Sequence, residues 1–404
     1  MNNRNLNLNT LLPKLATIVP FLAIALNLVL HVIRTGSLVS FDWQWTVVGL
    51  LASGYFGIFC KDLKKKSQKV ILISRNPNIR LKGNQLGIDT ELFKDEIFPK
   101  PCDQYKGIVE VFMPGSSLEK MFTDERGVPV EEVYQYENFD WIENEFVEIV
   151  SDTSKAIGRY TNGRIVRLKY DKSIPGGHKA LNVEQVVFWE SLLMPPDIAP
   201  LVVTKGVAGT GKTYCSLAMA LNAIEKKGDK KKQTYKQIIV ATPTVTVANE
   251  ELGFLPGEID DKVGPYLGGI VDNLKEILRQ KFPDFTNAEL KKKAMEFFER
   301  GDIEIQPIGF LRGRTIPNTV FIIDETQNIK PCDIKDIVTR SAEGSKFIFL
   351  GDADQVNNPA LNSRYNGLVY LSEKMKGNPH TFQITLNSKK SVRSKLAQEA
   401  LDIL

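Results

Sequence analysis

The sequence predicts an α/β chain whose carboxyl-terminal half forms a doubly wound, mostly parallel sheet. Three observations predict it. Four short apolar runs, 201–204, 238–240, 320–323 and 347–350, each end in polar residues. Helical stretches separate these runs, and strands alternating with helices read as a parallel sheet covered on both faces. A glycine-rich loop at 206–213 (GVAGTGKT) follows the first run and opens the first of those helices.

Composition bounds the rest. A chain of 404 residues has room for two or three domains. With 43% hydrophobic and 25% charged residues it is globular in type, which excludes wholesale disorder. A formal net charge of +4 is too small to establish nucleic-acid binding, although a local basic patch is compatible with it. Cys60, Cys102, Cys215 and Cys332 lie far apart with no CxxC, which argues against a disulfide framework or a zinc ribbon. His31, His178 and His380 show no ligand spacing.

The stretch 15–33 is free of Asp, Glu, Lys and Arg, as is 43–60. Each reaches the lower limit of about 17 residues for a membrane-spanning helix. Trp43 and Trp45 stand where an interfacial aromatic belt would, and Gly49, Ser53 and Gly57 recur every four residues. The region 1–68 is therefore expected to be an N-terminal transmembrane helical hairpin with membrane contact through 15–60. Lys61, Lys64, Lys65, Lys66 and Lys69 would hold its flank, and the domains after it, on the cytoplasmic side of the inner membrane. A buried soluble hairpin is the plainer alternative. A signal peptide fits poorly, because a second apolar stretch follows and no small-residue cleavage pattern is present.

The stretch 69–102 reads as a strand near 70–74 and a helix over 78–86, ended by Gly87. Alternating runs at 108–112, 146–150 and 164–168, separated by Gly and Pro, predict a small all-β module at 103–175. Its carboxylates Glu131, Glu132, Glu137, Asp140, Glu143 and Glu145 read as a solvated face. The stretch 172–178 (KSIPGGH) reads as a linker into a domain at 176–404.

That domain carries the chemistry. Gly206, Val207, Ala208, Gly209, Thr210, Gly211, Lys212 and Thr213 match G-x-x-x-x-G-K-[ST] in the strand–loop–helix setting that a phosphate loop requires. Glycines let backbone N–H groups turn toward phosphate oxygens, and the helix N-terminus favours the anion. Lys212 would reach the β- and γ-phosphates and Thr213 would hold Mg2+. Asp324 follows the run 320–323, at 112 residues from Lys212, and would hold the Mg2+ shell as the Walker-B acid. Glu325 beside it would polarise the attacking water. The run 347–350 leads to Gly351-Asp352 and then Gln355.

Other residues allow two readings. Asn182 and Gln185 precede an amphipathic run at 186–193, and either an adenine-reading amide or an ordinary helix cap fits them. Arg312, Arg314, Arg340 and Arg393 are candidates for phosphate or nucleic-acid contact, with Arg393 a candidate finger in trans. Thr286 and Glu289 form a capping box. The lysine run at 226–232 reads as a solvated loop.

Six motifs, 206–213, 252–257 (LGFLPG), 311–318 (LRGRTIPN), 321–328 (FIIDETQN), 339–346 (TRSAEGSK) and 351–355 (GDADQ), together resemble the PhoH-like ATPases over about 180–404. The stretch 69–98 resembles the last part of the PIN nuclease domain of fused PIN–PhoH proteins, and 103–175 resembles their middle region. The resemblance implies an ATPase core with ATP and Mg2+ as cofactors, RNA metabolism with RNA as a partner, and a homo-oligomeric ring, a hexamer. It makes Gln185 an adenine reader, Gln327 and Gln355 γ-phosphate sensors, and Arg393-Ser394 the late Arg-Ser pair. Two departures stand out. Thr242 occupies a position where the family has Arg, and Asn76 one where it has Asp. A PIN nuclease gathers carboxylates around a hard cation, and an amide lacks their charge. PIN-type ribonuclease activity is therefore not expected. The expected function is ATP hydrolysis coupled to RNA remodelling or unwinding, with a membrane-tethered nucleotide-binding scaffold of low turnover as the alternative.

Overall fold

A computed structural model of the chain describes residues 71–73, 77–85, 87–91, 98–133, 139–152, 154–170, 174–225, 235–243, 259–311 and 315–386. The expected membrane hairpin lies outside the described residues, and among these no helix is long and apolar enough to cross a membrane. The chain divides into two compact units, 1–96 and 97–404. The first holds a parallel pair, β1 (Ile71–Ile73) and β2 (Asp89–Glu91), joined through α1 (Pro77–Gln85). Proline at the first helical position matches its missing N–H to a donor that would be unpaired anyway.

In the second unit a five-stranded sheet runs in the order β3 (Ile108–Phe112), β5 (Phe146–Val150), β6 (Lys155–Thr161), β7 (Arg164–Arg167) and β4 (Val128–Pro129). The all-β expectation for 103–175 needs correction: α2 (Gly115–Thr123) covers one face of this sheet. Leu118 and Met121, three residues apart on one side of α2, pack with Val111, Val147, Ile149 and Ile165. The solvated reading of the acidic stretch also fails at Glu145, which is buried with one carboxylate oxygen unpartnered. Burial raises its pKa to about 7, against weaker opposing effects of the Ile142 amide and Lys376.

The larger sheet has six strands, all parallel, in the order β10 (Ile303–Pro307), β9 (Gln237–Thr242), β11 (Thr319–Ile323), β12 (Lys346–Gly351), β8 (Leu201–Gly206) and β13 (Thr381–Leu386). Strand side chains alternate between its faces. Val202, Val240, Ile322 and Ile348 pack beneath α3 (Val183–Leu193), α4 (Lys212–Glu225), α5 (Ile259–Lys281) and α6 (Asn287–Glu299). Val203, Ile239, Phe321 and Phe349 pack under α7 (Pro331–Val338) and α8 (Gly367–Lys374). Burial on both faces explains why these strands read as continuous apolar runs. The edge strands β10 and β13 were absent from the sequence expectation because polar residues interrupt them. On β13, Gln383 is buried and exchanges hydrogen bonds with Ser372 of α8.

The run 186–193 was expected to be amphipathic, yet Val187, Phe188, Trp189, Glu190, Ser191 and Leu192 are all buried in α3. Asn182 caps this helix, its Oδ1 accepting from the Gln185 amide. At the other end, fully buried Lys346 donates from Nζ to the carbonyls of Ser191, Leu192 and Met194 at 2.8, 2.8 and 2.7 Å. Its Nζ satisfies free carbonyls at the helix C-terminus, and full burial lowers its pKa to about 7. The capping box of Thr286 and Glu289 forms as expected at the start of α6.

Candidate active site

Adjacent strands β11, β12 and β8 bring their carboxyl ends to one edge of the sheet. Asp324, Asp352 and the loop 206–213 follow these three ends in turn. From β8 the chain crosses past β12 and β11 to reach β9, so the edge lies where the strand order reverses. Ligands of open α/β sheets gather at such a point.

The loop is shaped for an anion. Gly209 and Gly211 hold φ of +85° and +86°, a region in which a Cβ is penalised. The Thr210 hydroxyl donates to the Val207 carbonyl at 2.9 Å and braces the turn. Lys212 Nζ reaches back to the carbonyls of Gly206 and Val207 at 2.5 and 2.9 Å. One ammonium and the start of α4 therefore face the same hollow.

Two oxygen donors meet beside it. The Thr213 hydroxyl donates to Asp324 Oδ2 at 2.7 Å. Asp324 is fixed from behind: its amide donates to the Ala241 carbonyl at 2.9 Å, and its Oδ1 accepts the Glu325 amide at 2.9 Å. A hydroxyl and a carboxylate are hard oxygen ligands, the set that Mg2+ takes in phosphate sites. These residues fit that ion, and the loop amides with Lys212 fit a polyphosphate.

Glu325 turns the chain out of β11 in the left-handed region, with φ 54° and ψ 35°. For a residue with a Cβ this costs about 1–3 kcal/mol, a strain that gathers at functional sites. Glu325 is an exposed residue, and partial desolvation still raises its carboxyl pKa, with Asp324 adding to the rise while Gln327 and Lys212 oppose it. A carboxylate pushed upward is better matched to accepting a proton.

Gln327 is fully buried. Its Nε2 donates to Glu325 Oε2 at 2.6 Å and to the Gln355 carbonyl at 3.1 Å, and its Oε1 accepts the Asp352 amide at 3.1 Å. Gln327 thus sits behind Glu325 as a brace, whereas Gln355 has an exposed side chain. Asp352, missing from the sequence-predicted site, is buried against the loop. Burial raises its pKa, and the amides of Asp354 and Ala208, together with Lys212, counter that rise. Its signal was present in the sequence, as an acid just past a buried strand.

Gln185 lies under the loop, with Nε2 donating to the Thr210 carbonyl at 3.2 Å and Oε1 accepting the Leu181 amide at 2.9 Å. The structure therefore brings together Gln185, 206–213, Asp324, Glu325, Gln327 and Gln355. Arg340 follows α7, which leaves the carboxyl edge and returns toward the start of β12, so it stands at the opposite end of the sheet. Arg312, Arg314 and Arg393 lie outside the described residues.

A parallel sheet with a phosphate loop after one strand and a magnesium-type acid after the next strand but one defines a P-loop NTPase fold. The family described as PhoH-like protein matches residues 179–404. The chain belongs to this PhoH-like family. The protein PhoH2 of Bacillus subtilis is 33% identical over 349 residues, covering 85% of this chain and 74% of its own length. The PhoH-like protein of the same species is 38% identical over 202 residues, 50% of this chain and 57% of its own. Among solved structures, the Pif1 helicase from Candida albicans aligns over 56% of this chain and 43% of its own. The two share 20% sequence identity with a TM-score of 0.28.

Proposed function

We propose that the chain binds ATP with Mg2+ at the loop 206–213 and hydrolyses it, and that turnover is coupled to remodelling or unwinding RNA. The observation that carries this reading is the 2.7 Å bond from Thr213 to Asp324, with Glu325 next in sequence. Bound Mg2+ would neutralise phosphate charge between Thr213 and Asp324. Lys212 and the loop amides hold the phosphates and stabilise the charge that grows on them. Glu325 accepts a hydrogen bond from water and orients it, and Gln327 keeps that carboxylate in place. In a homo-oligomeric ring, Arg393 would serve a neighbouring subunit as a finger.

The test is phosphate release by the full chain and by Glu325→Gln, each with and without RNA. The reading expects a loss on the order of 10²-fold or more in the variant and stimulation of the wild type by RNA. Equal, RNA-independent rates in the two proteins would leave a nucleotide-binding scaffold.

A further inference from the structure

A second recess lies on the five-stranded sheet, outside the nucleotide site. It is a groove of about 740 Å³ at the free end of β6 and β7, where Ile157 and Val166 line it from one sheet face and Ala156 and Arg167 from the other. Lys155, Arg167 and Lys169 line it, all three exposed, and among the described lining residues Glu125 is the one carboxylate. Among the described residues none of these three cations forms an ion pair. Phe122, 52% exposed at the end of α2, stands on the rim. Its carbonyl accepts from the Arg167 guanidinium at 3.4 Å, which keeps cation and ring together.

We propose that this groove docks single-stranded RNA, with phosphates on Lys155, Arg167 and Lys169 and a base stacked on Phe122. The proposal rests on the RNA-coupled reading above and places the RNA on the small sheet. Unpaired cations along an open channel with an exposed ring are the features that track a single strand: charge holds the backbone and the ring takes any base. A double helix has its bases already stacked on one another and offers no free base face to Phe122.

The groove also has a path to the nucleotide loop. Val186 of α3 forms part of its wall. The preceding residue, Gln185, bonds to Thr210 inside the loop. The strand end at the groove is tied to the same helix, with the amides of Lys169 and Tyr170 donating to Glu190 at 3.0 and 2.7 Å. A strand that orders the groove thereby bears on the helix that braces the phosphate loop, and the coupling between the two ligands must be reciprocal.

The experiment measures fluorescence anisotropy of a short labelled single-stranded RNA with the full chain, across a salt series. Removing three phosphate contacts in the triple variant Lys155→Ala, Arg167→Ala, Lys169→Ala should lower the salt slope by about 2. It should also weaken RNA binding at least tenfold and abolish RNA stimulation of phosphate release, with basal release kept. Phe122→Ala should weaken binding about 5- to 150-fold, and Phe122→Trp should restore it, which separates stacking from folding. Conversion of Lys155 and Lys169 to Arg should preserve binding. If the triple variant binds RNA like the wild type, the groove is the wrong place while the hydrolysis reading survives. A wild type that hydrolyses ATP but binds no RNA removes both the groove and the coupling. Single-stranded DNA bound as tightly, with the same loss in the variant, would overturn the assignment to RNA.

Discussion

Gln327 holds Glu325: an amide buried between two strand ends donates to the carboxylate at 2.6 Å while its own oxygen accepts the Asp352 amide. One side chain thus sets the position of the carboxylate at the end of β11 relative to the end of β12. Gly351 belongs to the same arrangement, since a Cβ there would strike Gln327 Oε1.

Gln327→Ala should therefore impair the step that uses Glu325 more than nucleotide binding. Turnover is expected to fall on the order of 10²-fold, the scale of an ångström-level misplacement, with ATP affinity nearly unchanged by calorimetry. Stability should drop by about 1–3 kcal/mol as the Asp352 amide loses its acceptor. A variant that lost ATP affinity and turnover in equal measure would place Gln327 on the nucleotide instead.

Thr213→Val and Asp324→Asn act on the same pair of oxygens. Each should lower Mg2+-supported turnover on the order of 10²-fold, and ATP binding measured in EDTA should change little. Lys212→Ala should behave differently, weakening ATP binding with or without the metal.

Glu145 makes stability depend on pH. Its folded pKa of about 7 lies above the ordinary value of 4.5, because burial disfavours the carboxylate. The folded state then holds the proton more tightly than the unfolded one. This contribution is fully present below pH 4.5 and is lost as pH rises through 7. Glu145→Gln should leave the thermal midpoint nearly unchanged at pH 4.5 and raise it relative to wild type at pH 8. Parallel melting curves across that range would contradict the assignment.

Lys346→Met keeps the aliphatic stem and removes the donor to three carbonyls at the end of α3. Loss of about 1–3 kcal/mol is expected, read from urea unfolding. Trp189 lies in the same helix and is 1% exposed, so its fluorescence should report any loosening.

The N-terminal stretches 15–33 and 43–60 predict that the full chain stays in the pellet after carbonate extraction of membranes. Deletion of 1–68 should release it. Extraction of the full chain into the supernatant would remove the anchor.

Local pattern made much of the site legible. The loop 206–213 needs only glycines, a lysine and a hydroxyl between an apolar run and a helix, and eight consecutive residues carry that information. The central strands were legible because burial on both faces leaves unbroken apolar runs. The edge strands β10 and β13 were not, since an edge position admits polar residues. Helix α2 was missed because nine residues with Leu118 and Met121 as their buried apolar anchors give too short a period to recognise.

From the order of its residues alone, the chain determined the phosphate loop, the strand-end acids and the membership of its family. Those properties depend on neighbours along the backbone. Tertiary structure decided which groups meet: Asp324 against Thr213, Gln327 against Asp352 and Gln355, Asp352 against Ala208, and α3 between a basic groove and the loop. Each pairing depends on the strand order β11, β12, β8 or on a helix laid across it. Hydrogen bonds between residues 25 apart (Gln327 with Asp352), 111 apart (Thr213 with Asp324) and 144 apart (Ala208 with Asp352) arise only once the sheet has brought them together.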